Sequence, residues 1–444
     1  MFGLWFHRYP GWVVGMLWGM VLVGIVTVLP AFPANEAISL QDALKLADSN
    51  NPQLLAAQKN YAASKADIDM AKYVPNPQLN TVFSAGDITS QLGNPQQVGM
   101  TQTLETGGKR HQRVLLAQAQ YTLTDFQYNA LRWDIHTQVR KAYAELAAAM
   151  ENATNLDLQA SLLGDLVDIA DKRFKAGVAP EAEVEQAELN REQLDSQRNQ
   201  AQDRIEQARL QLNALLGNQL QADYEISDNG LFQSPTHKSQ LVPTADTVLP
   251  AKDTLYHEAL RQRLDLQAAL QQKTVSTDQL AVAKSGRMPD LQLSGGYLFV
   301  TAPSPENNIR RYFDGPYAGV TVNLPLFHNQ QAEMAKAKAS IEQNQLQVNA
   351  LQQQIHLDID TSYSSLQVAR QNILLFQTQL LPHAKNVLHL AQRSYQVGKT
   401  GLANVILAQQ TVQQIAASYL DSLVDYQNAW GDLEKAVGGP INLP

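Results

Sequence analysis

FKAGVAPEAEVEQA, residues 174–187, and YQVGKTGLANVILA, residues 395–408, are two versions of one signal, 221 residues apart. Each ends a helical pattern, turns on a glycine (Gly177, Gly398) and starts another helix within a few residues. A helical hairpin written twice at a fixed spacing makes internal duplication the first hypothesis to extend outward. Residues 42–54 (DALKLADSNNPQL) match 254–266 (TLYHEALRQRLDL). Pro77-Gln78-Leu79 falls on Pro289-Asp290-Leu291, and VGMTQTL at 98–104 on AGVTVNL at 318–324. Ile135-His136 meets Ile355-His356, Tyr143 meets Tyr363, and Leu216-Gly217 meets Val437-Gly438. Collinear matches at a nearly constant offset divide the chain into 35–217 and 251–438, joined by 218–250 and followed by a tail, 439–444.

Each copy has the same layout. A helical stretch (39–73; 252–286) carries apolar residues at three- and four-residue spacing. Prolines stop it (Pro75 and Pro77; Pro289). Alternating segments follow: Leu79, Thr81, Phe83 and Ala85 oppose Asn80, Val82 and Ser84, while Leu291, Leu293, Tyr297 and Phe299 oppose Gln292 and Ser294. Long polar turns lead to returning segments at 97–105 and 317–326, where Val320, Val322 and Leu324 form an apolar face. Very long helices are then expected over about 110–173 and 330–396, with return helices to Gly217 and Gly438. At ~1.5 Å per residue, a helix of over sixty residues spans about 95 Å, so these helices must pack lengthwise in a coiled-coil-like wall.

Composition narrows the function classes. Of 444 residues, 44% are hydrophobic, enough for long apolar seams, and the formal net charge is -8, the wrong sign for neutralising nucleic-acid phosphates. Cysteine is absent, which excludes disulfides, thiolate metal sites and a Cys nucleophile. Residues 1–34 hold Arg8, the apolar run Gly11 to Leu29 and then Pro30 to Ala34, and read as a secretory signal peptide, the alternative being a retained anchor. No later segment is apolar enough for a spanning helix, so membrane crossing falls to the four strand candidates, whose lengths suit a tilted barrel strand. Four strands cannot close a barrel, and open edges in lipid leave backbone groups unpaired, so a membrane-embedded sheet requires several copies. A soluble sheet capping a helical bundle fits the same alternation.

No phosphate loop, dinucleotide glycine pattern, nucleophile elbow or HExxH is present, so no enzymatic activity and no cofactor is expected. Asp358 and Asp360 lie two apart and face different ways on a helix. His136 and His356 occupy matching positions; copies around an axis could gather them as a transient metal stop, although hydrogen-bonded interface histidines are the simpler reading.

The sequence resembles the TolC family of outer-membrane efflux proteins over about residues 38–438. The matching motifs are PNPQL at 75–79, TLETGGKR at 103–110, LPLF at 324–327, RFKAG at 173–177 and SYQVGKTGLANVILAQ at 394–409. The TLETGGKR form is similar to the CzcC-like branch, which serves metal exporters. The resemblance implies a mainly α fold with a small antiparallel β part: a homotrimer whose four strands per chain close a twelve-stranded barrel in outer-membrane lipid, continued by a long periplasmic α-helical barrel. It implies a passive exit duct in a tripartite efflux system for metal ions or small toxic compounds, with a periplasmic adaptor (membrane fusion) protein and an inner-membrane pump of RND or ABC type. A pore-free periplasmic adaptor or scaffold is the alternative, disfavoured by the twofold helical repeat. The resemblance also makes Lys175, Gly177, Glu181, Glu183, Tyr395, Gly398, Lys399, Thr400 and Asn404 the periplasmic tip and constriction candidates. Where many members carry aspartates, Asn404 and Leu407 stand here; Glu181, Glu183 and Glu185 could supply negative charge, or simply form a solvated acidic first turn.

Overall fold

The computed structural model describes residues 37–82, 94–220, 224–227, 249–303, 310–327 and 329–441, with 94–95, 300–303 and 310–313 described in backbone only. The expected signal peptide, most of the connecting segment, and Phe83, Ser84 and Ala85 lie outside these residues. The first copy contains α1 (Leu40–Asn50), α2 (Pro52–Lys72), β1 (Gln78–Val82), β2 (Asn94–Leu104), α3 (Lys109–Lys175) and α4 (Glu181–Leu215). The second repeats the order with α5 (Lys252–Gln262), α6 (Leu264–Ser285), β3 (Leu291–Pro303), β4 (Arg310–Val322), α7 (Gln331–Leu375), α8 (Leu381–Gln396) and α9 (Leu402–Val437).

Two expectations about helices need correction. Each leading helical stretch is two helices, broken at equivalent positions, Asn51 and Arg263, both extended with φ near -65°. At Asn51 the cause is local: Pro52 opens α2, and the Asn51 side-chain oxygen accepts from the N–H groups of Gln53 and Leu54. Its amide also donates to the Leu215 carbonyl at 2.8 Å, tying the break to the end of α4. At the second break Asp265 takes over, accepting from its neighbour's N–H (Leu266) and from the Arg263 guanidinium. The expected helix 330–396 is interrupted by a π-helical turn, Phe376–Leu380. Pro382 lacks an N–H, so the Thr378 carbonyl loses its usual donor, and the Leu381 N–H reaches back five residues to Phe376.

The four strands form one antiparallel sheet in the order β1-β2-β3-β4. Its register puts Leu104, Leu291 and Val322 in one row, Leu79, Met100, Gly295 and Ala318 in another, and Thr81, Val98, Tyr297 and Pro316 in a third, all on one face. The opposite face carries Thr103, Gln292 and Thr321, then Gln78, Thr101, Ser294 and Gly319. The apolar face is uncovered: Leu79 is 69% exposed and Val320 65%. Strand bounds also differ from expectation. β3 and β4 run through much of the segment read as a polar turn, and β4 ends at Val322, so Leu324 belongs to the loop that follows. Both ends of the sheet, β1 and β4, are edges within the chain.

Near the sheet, α2, α3, α6 and α7 lie side by side in that order; farther away α4 and α9 pack on α3, with α8 on α9. One core joins α1, the middle of α3 and the end of α4 around Ile135, Tyr143 and Leu212; its counterpart joins α5, α7 and α9 around Ile355, Leu366 and Leu423. The segment before α1 is held by Ile38, which pairs with Ile226 of the connecting segment and accepts from the Tyr143 hydroxyl at 2.9 Å. The two copies are riveted where α3 crosses α9: Arg140 to Glu434, Lys141 to Asp432 and Lys435 to Asp134.

The glycines ending α4 and α9 do more than stop a helix. Gly217 and Gly438 have φ of 77° and 85°, and a Cβ on Gly438 would lie 2.6 Å from the Arg263 Cα, while one on Gly217 would lie 2.4 Å from the Asn50 carbonyl oxygen. Each helix end thus seats on its copy's helix break, backbone against backbone. Gly438→Ala is expected to cost about 1–3 kcal/mol through left-handed strain and collision. Gly401→Ala, at φ -77° with nothing near its Cβ, is expected to stay within ~1 kcal/mol of wild type. Thermal unfolding followed by circular dichroism compares the two; equal melting points would contradict the seating.

Candidate functional site

At the end opposite the sheet, the two helical hairpins turn within a few residues of each other. Each turn is a Schellman motif: Val178 N–H to Arg173 O with Gly177 N–H to Phe174 O, and Lys399 N–H to Ser394 O with Gly398 N–H to Tyr395 O. Gly177 and Gly398 supply the left-handed residue, at φ 70° and 76°. Matched turns put the two hairpin ends level, and one side chain then joins them.

That side chain is Tyr395. It is 0% exposed, packed with Leu402, Val405 and Ile406 of α9 and with Ala170, Ala187 and Leu194 of the other hairpin. Its hydroxyl donates to Glu183 Oε2 at 3.0 Å. Arg173 donates to the Tyr395 carbonyl at 2.5 Å, and its guanidinium lies 4.5 Å from the Tyr395 ring centroid, a cation–π contact. Burial, with the hydrogen bond and negative charge of Glu183, pushes the Tyr395 phenol up to about 12, Arg173 opposing. The phenol is therefore neutral and donating at any physiological pH.

The other expected residues separate into two groups. Lys175 is exposed and pairs with Asp171 one turn back at 2.7 Å, and Glu181 and Glu185 sit in the first turns of α4 facing solvent. Lys399 is exposed in the turn, and the Thr400 hydroxyl oxygen is buried with no partner among the described residues. Asn404 and Leu407 are exposed on α9, whose first charged residue is Asp421. Tyr395, grouped with the constriction, is instead a buried clasp, because its ring fills the seam between hairpins. Glu183 is drawn to it and away from Glu181 and Glu185. Arg173 is the participant that sequence reading passed over. A basic residue in a helix's last turn ordinarily answers the helix dipole, and its partner lies 222 residues away.

The histidines diverge. His136 Nε2 is 2.8 Å from Asp48 Oδ1, and Arg132 holds the same carboxylate, whose pKa is lowered by these partners against the burial that raises it. His356 instead stacks on Tyr256, centroids 3.5 Å apart. Matching positions thus have unmatched chemistry. Asp358 pairs with Arg263 and Asp360 with Lys252, as expected of residues facing apart. Among the described residues no group of three or more His, Asp or Glu side chains converges as a metal site, and no helix is long and apolar enough to cross a membrane.

The sequence profile described as "Outer membrane efflux protein" matches residues 43–218 and 255–439, one stretch in each copy. The chain belongs to the outer membrane efflux protein family. It is 24% identical to the cobalt-zinc-cadmium resistance protein CzcC of Cupriavidus metallidurans over 93% of both chains. It is 21% identical to the outer membrane protein TolC of Vibrio cholerae, over 90% of this chain and 91% of that one. Among solved structures, CusC superposes with a TM-score of 0.71 at 18% identity (90% of this chain, 92% of that one), and VceC of Vibrio cholerae with 0.68 at 19% (90% and 96%). As a member of this family the protein is an outer-membrane efflux channel component, its helical part in the periplasm, and the pore-free adaptor reading is not favoured.

Tyr395→Phe keeps the ring and its guanidinium contact but removes the donor to Glu183. A loss of about 1 kcal/mol is expected near pH 8. The folded phenol titrates near 12 against 10.0 for the free group, so its stabilising contribution is complete below pH 10 and lost as pH rises from 10 through 12. The deficit of Tyr395→Phe should therefore shrink across that window. A deficit that stayed constant from pH 9 to 12 in thermal melts would refute the assignment.

Proposed function

We propose that three copies of the chain form a closed duct: twelve strands as a barrel through the outer membrane, continued by the helices as a periplasmic tunnel. The observation that carries this reading is the sheet itself, mainly apolar on one face (Gln102 and Asp314 among the exceptions), mainly polar on the other (Val82, Leu298 and Tyr317 among the exceptions) and open at both edges. In lipid every backbone donor and acceptor needs a partner, so β4 of one copy must pair with β1 of the next. The apolar face then meets hydrocarbon and the polar face lines water. The uncovered apolar residues support the same arrangement, since a monomer would leave Leu79, Val320 and their neighbours in water.

The duct carries out no reaction of its own. Proteins of this kind work in tripartite systems with a periplasmic adaptor and an inner-membrane pump, and the pump supplies the driving force. For cargo we favour metal cations: two of the resistance proteins similar to this chain are named for cobalt, zinc, cadmium and nickel, and a third for fusaric acid. No charge occurs on α9 from Leu402 to Leu420, so a ring of Asn404 side chains would offer a cation polar contacts without a carboxylate to retain it.

The clasp at Tyr395 holds the two hairpins together, and releasing it widens the tip. Tyr395→Ala together with Asn404→Ala is expected to raise single-channel conductance in planar bilayers; conductance equal to wild type would count against the assigned constriction. Co-expression with candidate pumps, followed by metal and drug tolerance tests, decides the cargo. Protection against a drug but against none of cobalt, zinc, cadmium and nickel would overturn the metal reading.

A further inference from the structure

The TLETGGKR stretch at 103–110 lies far from the tip, and nothing in the duct's operation accounts for it. It folds the end of β2 into the start of α3, and beside it is a cavity of about 690 Å³, in the size range of ligand sites. Lys72, Arg110 and His111 line it together with Val74, Leu104 and Val114. Leu104 belongs to the last apolar row of the sheet, so the cavity begins where the apolar face stops.

The charges around it are mostly spoken for. Glu105, which also lines the cavity, is neutralised by Arg113; Lys109 pairs with Asp290 at 2.8 Å, and Lys72 with Asp69 at 2.8 Å on the exposed surface. Arg110 is exposed and has no partner among the described residues, and the same holds for His111 beside it. In a chain of net charge -8, an unpaired guanidinium next to an imidazole in an apolar-edged cavity is a site for a phosphate that carries hydrocarbon with it. The surroundings have an interfacial character too. Tyr73, between the lining residues Lys72 and Val74, is 68% exposed at the α2–β1 junction, an amphipathic aromatic side chain of the kind that settles at headgroup depth.

We infer that this cavity binds the headgroup of an anionic phospholipid of the periplasmic leaflet, with Arg110 and His111 on the phosphate, Lys72 at the rim, and Val74, Leu104 and Val114 against the first acyl carbons. The inference rests on the proposed orientation of the sheet, apolar face to lipid. Its role would be to fix the depth of the barrel at the level where strands become helices.

The test uses the full-length protein in detergent, titrated with phosphatidylglycerol, with diacylglycerol, and with inorganic phosphate, and read by native mass spectrometry. Retention of phosphatidylglycerol is expected, with neither diacylglycerol nor phosphate competing at equal concentration. Arg110→Gln should weaken phosphatidylglycerol about fivefold, the amount associated with one basic residue at an anionic surface. Arg110→Lys should restore most of it, and Arg198→Gln, remote and paired with Asp157, should leave it unchanged. Unaltered retention in Arg110→Gln, or displacement by inorganic phosphate, would overturn the site, the latter by showing an adventitious ion only. Because Arg110 is exposed and unpaired, its removal leaves folding intact, and coincident melting curves verify this. Conductance of the unmodified protein, recorded in parallel, tests the duct itself, so the two ideas fail in different readouts.

Discussion

A helix of 67 residues cannot be buried by the chain that makes it. At ~1.5 Å per residue α3 extends about 100 Å, far beyond the core of any domain of this size. The rest of the molecule is organised by that length. α1, α2, α4, α6 and α9 each lie along part of α3, so it is the spine that both copies share. Where α9 crosses it, Glu434 is buried with Arg140 as its counter-ion, and burial raises its pKa against that partner's pull. A buried ion pair adds little net stability over an apolar contact, but losing one partner strands a charge. Its value here is registration: a slip of one helix along the other would separate Arg140 from Glu434, Lys141 from Asp432 and Lys435 from Asp134 together.

The same length dictates what happens at the ends. Lateral packing leaves the hairpin turns and the sheet with no shared core, so each must be organised locally. At one end two Schellman turns and one buried tyrosine suffice. At the other the sheet has cross-strand pairs but no second layer, and its hydrophobic face is open. A sheet of four strands with two free edges is unsuited to water and, alone, equally unsuited to lipid. In the duct proposed above, copies joined edge to edge would remove both objections at once, and assembly would then be coupled to membrane insertion.

Much of this was legible in the sequence because it is written twice. Gly177 with Gly398, Gly217 with Gly438, and the strand alternation are backbone and burial requirements, and such requirements leave local marks. Failures came where a long-range contact or a missing atom decided the outcome. The break at Arg263 has no proline and depends on Asp265 and on the seat for Gly438. The π-turn before α8 follows from the absent N–H of Pro382, whose effect falls on residues upstream of it. Leu324 continued the alternation of β4 on paper but lies beyond the last paired residue. The clasp was half visible: Tyr395 and Glu183 were both singled out, yet their contact joins residues 212 apart, and Arg173 looked like an ordinary helix-terminal cation.

The duplicated copies have kept their backbone plan while their side chains have parted, and the tip shows what that permits. Phe174 and Tyr395 occupy equivalent places, yet Phe174 is 41% exposed while Tyr395 is wholly buried between hairpins. Were both phenylalanine, neither turn would carry a donor for the other hairpin's carboxylate. With both tyrosine, each hairpin would compete to insert into the other. One tyrosine and one phenylalanine give a directed contact, α8 into the α3–α4 hairpin, with Arg173 and Glu183 supplied by the receiving side. The two hairpins of a subunit are thereby coupled, and an outward movement of one must either carry the other with it or break the clasp. In the proposed ring of subunits, that coupling would turn local contact at one hairpin into a change of the whole aperture.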